Sequence, residues 1–263
     1  MRGPRRRPRG PRSRHGGAWR RLWLRGGLPR SFLARSDAES LTWRRELVRT
    51  YLERELPDLG IGVAPGTIRR FWSMRAHDHG QTWNGAELAR SLGVSEATIG
   101  RYLDLLCRTF LALRLRPWHA NPRKREVRSP KVYLRDTGIL HAMLGVQTEV
   151  ELFGHPKVGA SFEGFAIHQV AARLGARPDA CHAWGVHGGA TLDLLVVRGN
   201  VRRGFEIKLS SAPSITGSMR SAMEVLELDA LDVVHAGATT FPLAPDVRAL
   251  SIDDVWRQLA PLR

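Results

Sequence analysis

The sequence predicts a mixed α/β fold (α+β overall), helical in its first half and built around strands in its second. The 263 residues are enough for one large or two modest domains with buried cores. Up to about residue 110, apolar side chains recur at helical spacing. From residue 160 the pattern changes to short apolar runs and amphipathic segments, in the order α-β-β-β-α-β.

The positive charge of the chain is concentrated at its start. The formal net charge is +16, but residues 1–35 hold twelve arginines and no Lys, Asp or Glu, so the other 228 residues carry only +4. Residues 1–18, rich in Arg, Pro and Gly, are predicted to be a disordered head. Such a head is typical of an arm that binds nucleic-acid phosphates. The alternative is that Met1 is not the true start of the protein.

Composition excludes several classes of protein. Two cysteines are too few for a disulfide scaffold or a zinc ribbon, and no apolar run approaches the roughly 18 residues of a membrane span. No apolar signal-peptide segment follows the basic start. We therefore expect a cytoplasmic protein without a membrane partner.

The first half divides into two predicted parts. Residues 19–66 are expected to be a linker and a helix from Ser36 to Leu56, which Pro57 stops. Residues 67–145 are expected to be a helical module.

Within this module, Asn84 with Glu87 three residues later is typical of a helix start, Gly93 of a turn and Ser95 of a second helix cap. The second helix has an apolar stripe that comprises Ile99, Tyr102, Leu103, Leu106 and Phe110.

Two helices around a tight glycine turn form a helix-turn-helix, and residues 110–118 then alternate apolar and charged side chains, which predicts an edge hairpin or wing. This order indicates a winged helix, a module that commonly binds DNA. The candidate DNA contacts are Arg90, Ser95, Thr98, Arg101, Arg123, Lys124, Arg125, Arg128 and Lys131. The alternatives are a module that packs against a partner and a basic loop that is a solvated turn, paired with the acids of residues 51–58.

Residues 146–263 are predicted to be the strand-rich domain. A strand (Lys131–Leu134) and a short helix (Thr137–Leu144) precede it. Its expected elements are a helix (Ala160–Leu174), three strands (Ala180–Val186, Thr191–Val197 and Arg203–Leu209), a helix around Ser218–Leu226 and a strand (Leu231–Ala236).

Three acids and one lysine stand out in this domain. Asp193 lies in an apolar strand, Glu206 and Lys208 lie two apart and so on one side of the next strand, and Glu163 lies on the preceding helix. A buried carboxylate is costly unless it is paired or binds a cation. We therefore expect Asp193 and Glu206 to hold Mg²⁺ (or Mn²⁺), with Glu163 in the same shell. Lys208 would position or deprotonate the attacking water, or stabilise charge on a phosphate.

The spacing of Asp193, Glu206 and Lys208 resembles the PD-(D/E)xK nuclease signature. This resemblance implies a restriction-endonuclease-like domain in which Asp193, Glu206, Lys208 and Glu163 are catalytic. The alternative is a structural ion cluster in which Lys208 pairs with Glu206 or Asp193, including a nuclease fold that binds DNA without cutting it.

Longer stretches resemble the C-terminal part, a domain of unknown function, of a prokaryotic family of AAA-type ATP-binding proteins. They include LWLRGGLPRSFLA, SLTWRRELVRTYLERELPDLG, LARSLGVSEATIGRYLDLL, RPWHANPRKREVRSPKVYLRDTGIL, GASFEGFAIHQV and LDLLVVRGNVRRGFEIKLS. Members of that family begin with an ATPase domain, yet this sequence has no G-x-x-x-x-G-K-[ST] motif and no Gly-Lys pair. The resemblance therefore implies that residues 19–66 are a remnant that follows a missing ATPase domain, and we do not expect ATP hydrolysis from this sequence.

These patterns predict a Mg²⁺-dependent DNA endonuclease, with DNA as its partner. Two further partners are compatible with these patterns, a separate ATPase and a second copy of this chain. The alternatives are an inactive DNA- or protein-binding module, and a truncated fragment whose parent is an ATPase.

Overall fold

The computed structural model describes residues 18–55, 65–119 and 128–262. The predicted disordered head lies outside these residues, apart from Ala18. The helices are α1 (Ala18–Arg25), α2 (Pro29–Phe32), α3 (Asp37–Thr50), α4 (Pro65–His77), α5 (Gly85–Leu92), α6 (Glu96–Arg108), α7 (Thr137–Leu144), α8 (Glu149–Gly154), α9 (Val158–Leu174), α10 (Gly217–Val225) and α11 (Val255–Gln258). The predicted mixture of helices and strands is confirmed.

Within the described ranges, eight strands form one mixed sheet. The strands are β1 (Ala112–Pro117), β2 (Lys131–Leu134), β3 (Cys181–Gly185), β4 (Thr191–Arg198), β5 (Val201–Lys208), β6 (Ala230–His235), β7 (Phe241–Ala244) and β8 (Val247–Ser251). Their order in the sheet is β2-β1-β3-β4-β5-β6-β8-β7. Neighbours are antiparallel except for three parallel pairs, β1–β3, β5–β6 and β6–β8.

The helical half follows the local signals of the sequence. Ser36 caps α3, which continues into a π-helical turn at Tyr51–Glu55. The Asn84 side chain accepts a hydrogen bond from the N–H of Glu87, and the Ser95 hydroxyl accepts one from the N–H of Thr98. The predicted helix-turn-helix is therefore present as α5, a left-handed Gly93 and α6.

Two expectations for the end of this half are wrong. Phe110 is 73 % exposed and not part of the buried stripe, because α6 ends at Arg108 and the helical spacing no longer holds beyond it. The alternating strand β1 is not at an edge, because it lies between β2 and β3. Its arginines alternate with buried leucines, since long charged side chains can lie along the surface of an inner strand.

The second half contains every predicted element, with ends that differ by up to two residues. Helix α9 packs on one face of the sheet, where Phe162 and Ile167 share a core with Phe205 and Ile207 of β5. Helix α10 packs in a separate core with residues of β4 and β6. The β7–β8 hairpin and the short helices α8 and α11 were not predicted.

The edge strand β2 is covered by residues 80–83. The N–H of Gly80 donates to the carbonyl of Val132, the N–H of Val132 donates to the carbonyl of Gln81, and Thr82 forms an isolated bridge with Lys131. The segment that follows α4 therefore holds β2 in place.

Helix α7 connects the helical half to the sheet. Its His141 ring bonds the carbonyl of Leu24 through Nδ1 and the hydroxyl of Ser161 on α9 through Nε2. The buried Arg44 guanidinium donates to the carbonyls of Leu24 and Gly138. One short helix is thus bonded to α1, α3 and α9.

Among the helices of the described ranges, none combines the length and the hydropathy that a transmembrane span needs.

Gly138 of α7 lies too close to the backbone of α1 to carry a side chain. A Cβ there would overlap the carbonyl oxygen of Arg25, which is backbone and cannot move aside. We expect Gly138→Ala to destabilise the protein by about 3 kcal/mol or more, measured by urea unfolding. Gly100→Ala is the control, because a Cβ at Gly100 in α6 would meet nothing, and alanine favours a helix by about 0.5–1 kcal/mol. Equal stability of the two variants would contradict this close approach.

Candidate functional site

Asp193 lies in a β-bulge of β4. His182 pairs with Leu195 and Trp184 with Leu192, so β4 has one residue more than β3 across this stretch. The paired residues of β4 and β5 begin directly after Asp193, at Leu194. The Asp193 Oδ2 atom accepts the N–H of Ile207 at 3.0 Å. The bulge thus positions a carboxylate that is 8 % exposed against the backbone of β5.

Glu206 and Lys208 form an ion pair on β5. Lys208 Nζ donates to Glu206 Oε1 at 2.6 Å, and the Lys208 side chain is 42 % exposed. Glu206 is 5 % exposed, and its other oxygen, Oε2, has no hydrogen-bond partner among the residues described. Burial, and next the nearby Asp193 carboxylate, raise the pKa of Glu206 to about 7, against the opposing effect of Lys208.

Glu163 extends from α9 toward the same place. Its Oε1 accepts hydrogen bonds from Lys131 Nζ at 2.9 Å and from the Tyr133 hydroxyl at 2.6 Å. Burial and the Asp193 carboxylate raise the pKa of Glu163, while Lys131 acts to lower it. The four residues predicted as catalytic are therefore brought into one electrostatically coupled group.

Lys131 joins this group, although the sequence had placed it among the DNA contacts of a basic loop. Its Nζ donates to Asp193 Oδ1 at 3.1 Å as well as to Glu163, so one ammonium bridges two carboxylates. Burial acts to lower the pKa of Lys131, but the two carboxylates outweigh it and raise that pKa. We call Lys131, Glu163, Asp193, Glu206 and Lys208 the carboxylate cluster.

Tyr133 and His79 support the cluster and were not predicted to do so. Lys131 and Tyr133 alternate along β2, so both reach the face that carries Glu163. The His79 ring lies edge-on to Tyr133, 5.4 Å between centroids, and its Nδ1 accepts the N–H of Leu134. Gly164 gives this ring its space, because a Cβ there would overlap His79 Nε2. The alternation of Lys131 and Tyr133 was the available sequence signal.

A metal ion at the cluster would compete with hydrogen bonds that the chain already makes. Within the parts of the chain that the structure describes, no three His, Cys, Asp or Glu side chains are grouped to hold a metal ion. Glu206 Oε2 has no hydrogen-bond partner among the described residues. Both oxygens of Asp193 already accept hydrogen bonds, from Lys131 and from the N–H of Ile207, and Glu163 Oε1 accepts bonds from Lys131 and Tyr133. The role of Glu163 in a metal shell stays a prediction.

Apart from Lys131, which lies in the carboxylate cluster, the predicted DNA contacts fall into three groups. Arg90, Ser95 and Arg101 are exposed on the helix-turn-helix, where Arg101 also donates to the Thr98 hydroxyl at 3.0 Å. Arg128 is exposed just before β2. The remaining three, Arg123, Lys124 and Arg125, lie outside the described residues.

The raised pKa of Glu206 makes the stability of the protein depend on pH. Between its ordinary pKa of 4.5 and about 7, the folded protein holds a proton that the unfolded chain has lost. Stability from this group is therefore full below about pH 4.5, falls as the pH rises to about 7, and is constant above that. We expect a loss on the order of 1–3 kcal/mol between about pH 5 and about pH 8 in urea unfolding.

Glu206→Gln cannot ionise, so it should lack this part of the pH dependence. Glu224→Gln, at an exposed position of α10, is the control and should keep the wild-type slope. A wild-type slope in Glu206→Gln would contradict the assignment.

Comparisons with known proteins give relatives without a described activity. The chain is similar to the uncharacterized protein Rv2008c of Mycobacterium tuberculosis and the uncharacterized protein Mb2031c of Mycobacterium bovis, each 48 % identical over 235 residues. These matches cover 89 % of this chain and 53 % of each relative, so the chain spans about half the length of these curated relatives. No solved structure matches it.

None of these matches describes an AAA-type or a restriction-endonuclease-like protein. The family model that matches is a domain of unknown function, DUF8612, over residues 16–150, which is just over half of the chain. The chain therefore belongs to the DUF8612 family.

Proposed function

We propose that the chain is a DNA nuclease of the PD-(D/E)xK type that depends on Mg²⁺ or Mn²⁺. The observation that carries this proposal is Glu206, a buried carboxylate with one oxygen unpaired among the described residues, next to Asp193 and Lys208. Lys208 pairs with the Glu206 Oε1 atom, and a metal ion would supply the partner that the buried Oε2 atom lacks among these residues. The α-β-β-β-α-β order of α9 to β6 supports the same assignment.

Asp193 and Glu206 would hold the metal ion, which when bound polarises a phosphate and lowers the pKa of water. The chain supplies the other functions. Lys208 has an exposed ammonium on the same side of β5 as Glu206, so it can orient water or neutralise charge that develops on a phosphate. Glu163 holds Lys131 in place, and Lys131 balances the charge of Asp193.

The helix-turn-helix would dock the DNA as a winged helix. The start of α6 presents Ser95, Thr98 and Arg101, and the neighbouring Arg90 reaches toward a phosphate backbone in this proposal. Together with the basic loop before β2, these side chains predict binding that weakens as salt increases. In this proposal the chain corresponds to the C-terminal part of an AAA-type ATP-binding protein, and an ATPase partner or self-association would complete it.

One observation favours a second candidate, an inactive module that binds DNA or protein. The Lys131 ammonium already lies between Glu163 and Asp193, and Lys208 pairs with Glu206, so the two lysines offset two of the three negative charges. In this case the cluster is a structural ion network and needs no metal.

Nicking of plasmid DNA and degradation of single-stranded DNA, with Mg²⁺ or Mn²⁺, test the nuclease proposal. We expect activity in the wild type and a loss of at least about a hundredfold in Asp193→Asn, Glu206→Gln and Lys208→Ala, because these variants remove charge at the proposed reaction centre. Glu224→Gln should cleave like the wild type. Equal behaviour of the wild type and Lys208→Ala across metals and substrates would refute the nuclease.

A metal titration separates the two candidates without an activity assay. If Asp193 and Glu206 bind Mn²⁺, the ion raises the melting temperature of the wild type and of Glu224→Gln, but not that of Glu206→Gln. The inactive module would be favoured if Mn²⁺ left every melting temperature unchanged and if Asp193→Asn still bound DNA in a salt-sensitive way.

A further inference from the structure

Phe110 occupies a backbone conformation that its residue type disfavours. Its φ is 60°, in the left-handed region, directly after the Thr109 that caps α6. The N–H of Leu111 donates to the carbonyl of Leu106, which closes the helix end in the manner that usually places glycine at this position. The phenyl ring is 73 % exposed, so burial does not offset the strain. An exposed aromatic side chain held at a strained position indicates a contact made outside the fold.

The ring stands at a cleft of about 420 Å³, within the range of small-molecule sites. The guanidinium carbon of Arg135 lies 5.7 Å from the centroid of the Phe110 ring. Other polar side chains that line the cleft are Arg114, Arg116, Asp179 and His182. An aromatic ring and three arginines therefore converge on one concave surface.

The arginines of the cleft outnumber the acids that pair with them, so the cleft carries positive charge. Arg114 Nη2 donates to Asp104 at 2.5 Å, but Arg114 Nε is buried and has no acceptor among the described residues. Asp179, the acid of the cleft, accepts a hydrogen bond from Arg177 at 3.2 Å. A ligand with acidic oxygens would therefore balance the positive charge that Arg116 and Arg135 bring to the cleft.

The cleft and the carboxylate cluster lie on opposite faces of β1. Leu113 and Leu115 pair across the strands with Tyr133 and Lys131, which face the cluster. Arg114 and Arg116 alternate with these leucines and so point to the other face. The cleft is thus a separate site, and a ligand there does not depend on the proposed nuclease.

We propose that this cleft binds a nucleoside phosphate, with the phosphate on Arg116 and Arg135 and the base stacked on Phe110. Planar guanidinium groups match phosphate oxygens, and exposed aromatic rings stack on nucleobases. The same chemistry is offered by a free nucleotide and by one nucleotide of a single strand. The strain at Phe110 is then the cost of presenting the ring to the base.

Two probes test the proposal on the full chain, in EDTA so that no metal reaches the carboxylate cluster. Thymidine 5′-monophosphate is titrated by calorimetry, and a fluorescein-labelled oligothymidylate by anisotropy. We expect Phe110→Gly to weaken binding about tenfold while its melting temperature stays equal or rises, because glycine relieves the left-handed φ. Phe110→Tyr should keep the affinity, since it keeps the ring.

Arg116→Ala should also weaken binding, whereas Arg220→Ala, an exposed arginine of α10, is the matched control and should not. If Phe110→Gly and Arg116→Ala lose affinity for both probes, the site binds free nucleotides as well as single strands. If they lose affinity for the oligothymidylate alone, the site binds a strand. The proposal is overturned if the wild type binds neither probe or if Phe110→Gly binds both like the wild type. A lower melting temperature with lost binding would make the ring structural and would also overturn it.

Discussion

The buried Arg44 guanidinium is the interaction on which the arrangement of the site depends. It donates to carbonyls of α1 and α7, and burial lowers its pKa to about 10 against the opposing effects of Asp136 and Asp37. A cation at the carboxyl end of α1 also complements the helix dipole. Because α7 follows β2 after two residues, fixing α7 also fixes the strand that carries Lys131 and Tyr133. The geometry of the carboxylate cluster is therefore set partly by a contact that lies outside it.

A second connection leads to the cluster from α9. His141 of α7 bonds Ser161, which also accepts a hydrogen bond from Trp23 of α1 and precedes Glu163 by two residues. Lys131 and Glu163, which bond to each other, are thus both anchored to α7. The buried hydrogen bonds of the helical half and the ion pairs at the sheet are linked through the backbone of β2 and α9, so a change at α7 is expected to reach the cluster.

The sequence predicted two kinds of feature well: helix ends, which depend on neighbouring residues, and acidic side chains placed within apolar strands. Acids within apolar strands identified Asp193 and Glu206, and capping residues located α5 and α6. Two features of the site depended on pairing between distant strands. The bulge at Asp193 arises from the register of β4 against β3, and the contact of Lys131 with Glu163 and Asp193 requires β2 to join the same sheet. The β7–β8 hairpin was missed because its strands are short and β7 contains Pro242.

The covering of β2 by residues 80–83 has a consequence for association between molecules. An uncovered edge strand offers free N–H and C=O groups to any other extended chain, and such edges promote aggregation. Here Gly80 and Gln81 already use the backbone groups of Val132, so this edge is closed to further pairing at that residue. At the opposite edge, β7 is four residues long and Pro242 supplies no N–H. Among the described strands, the two at the edges of the sheet therefore offer little free backbone to a further strand.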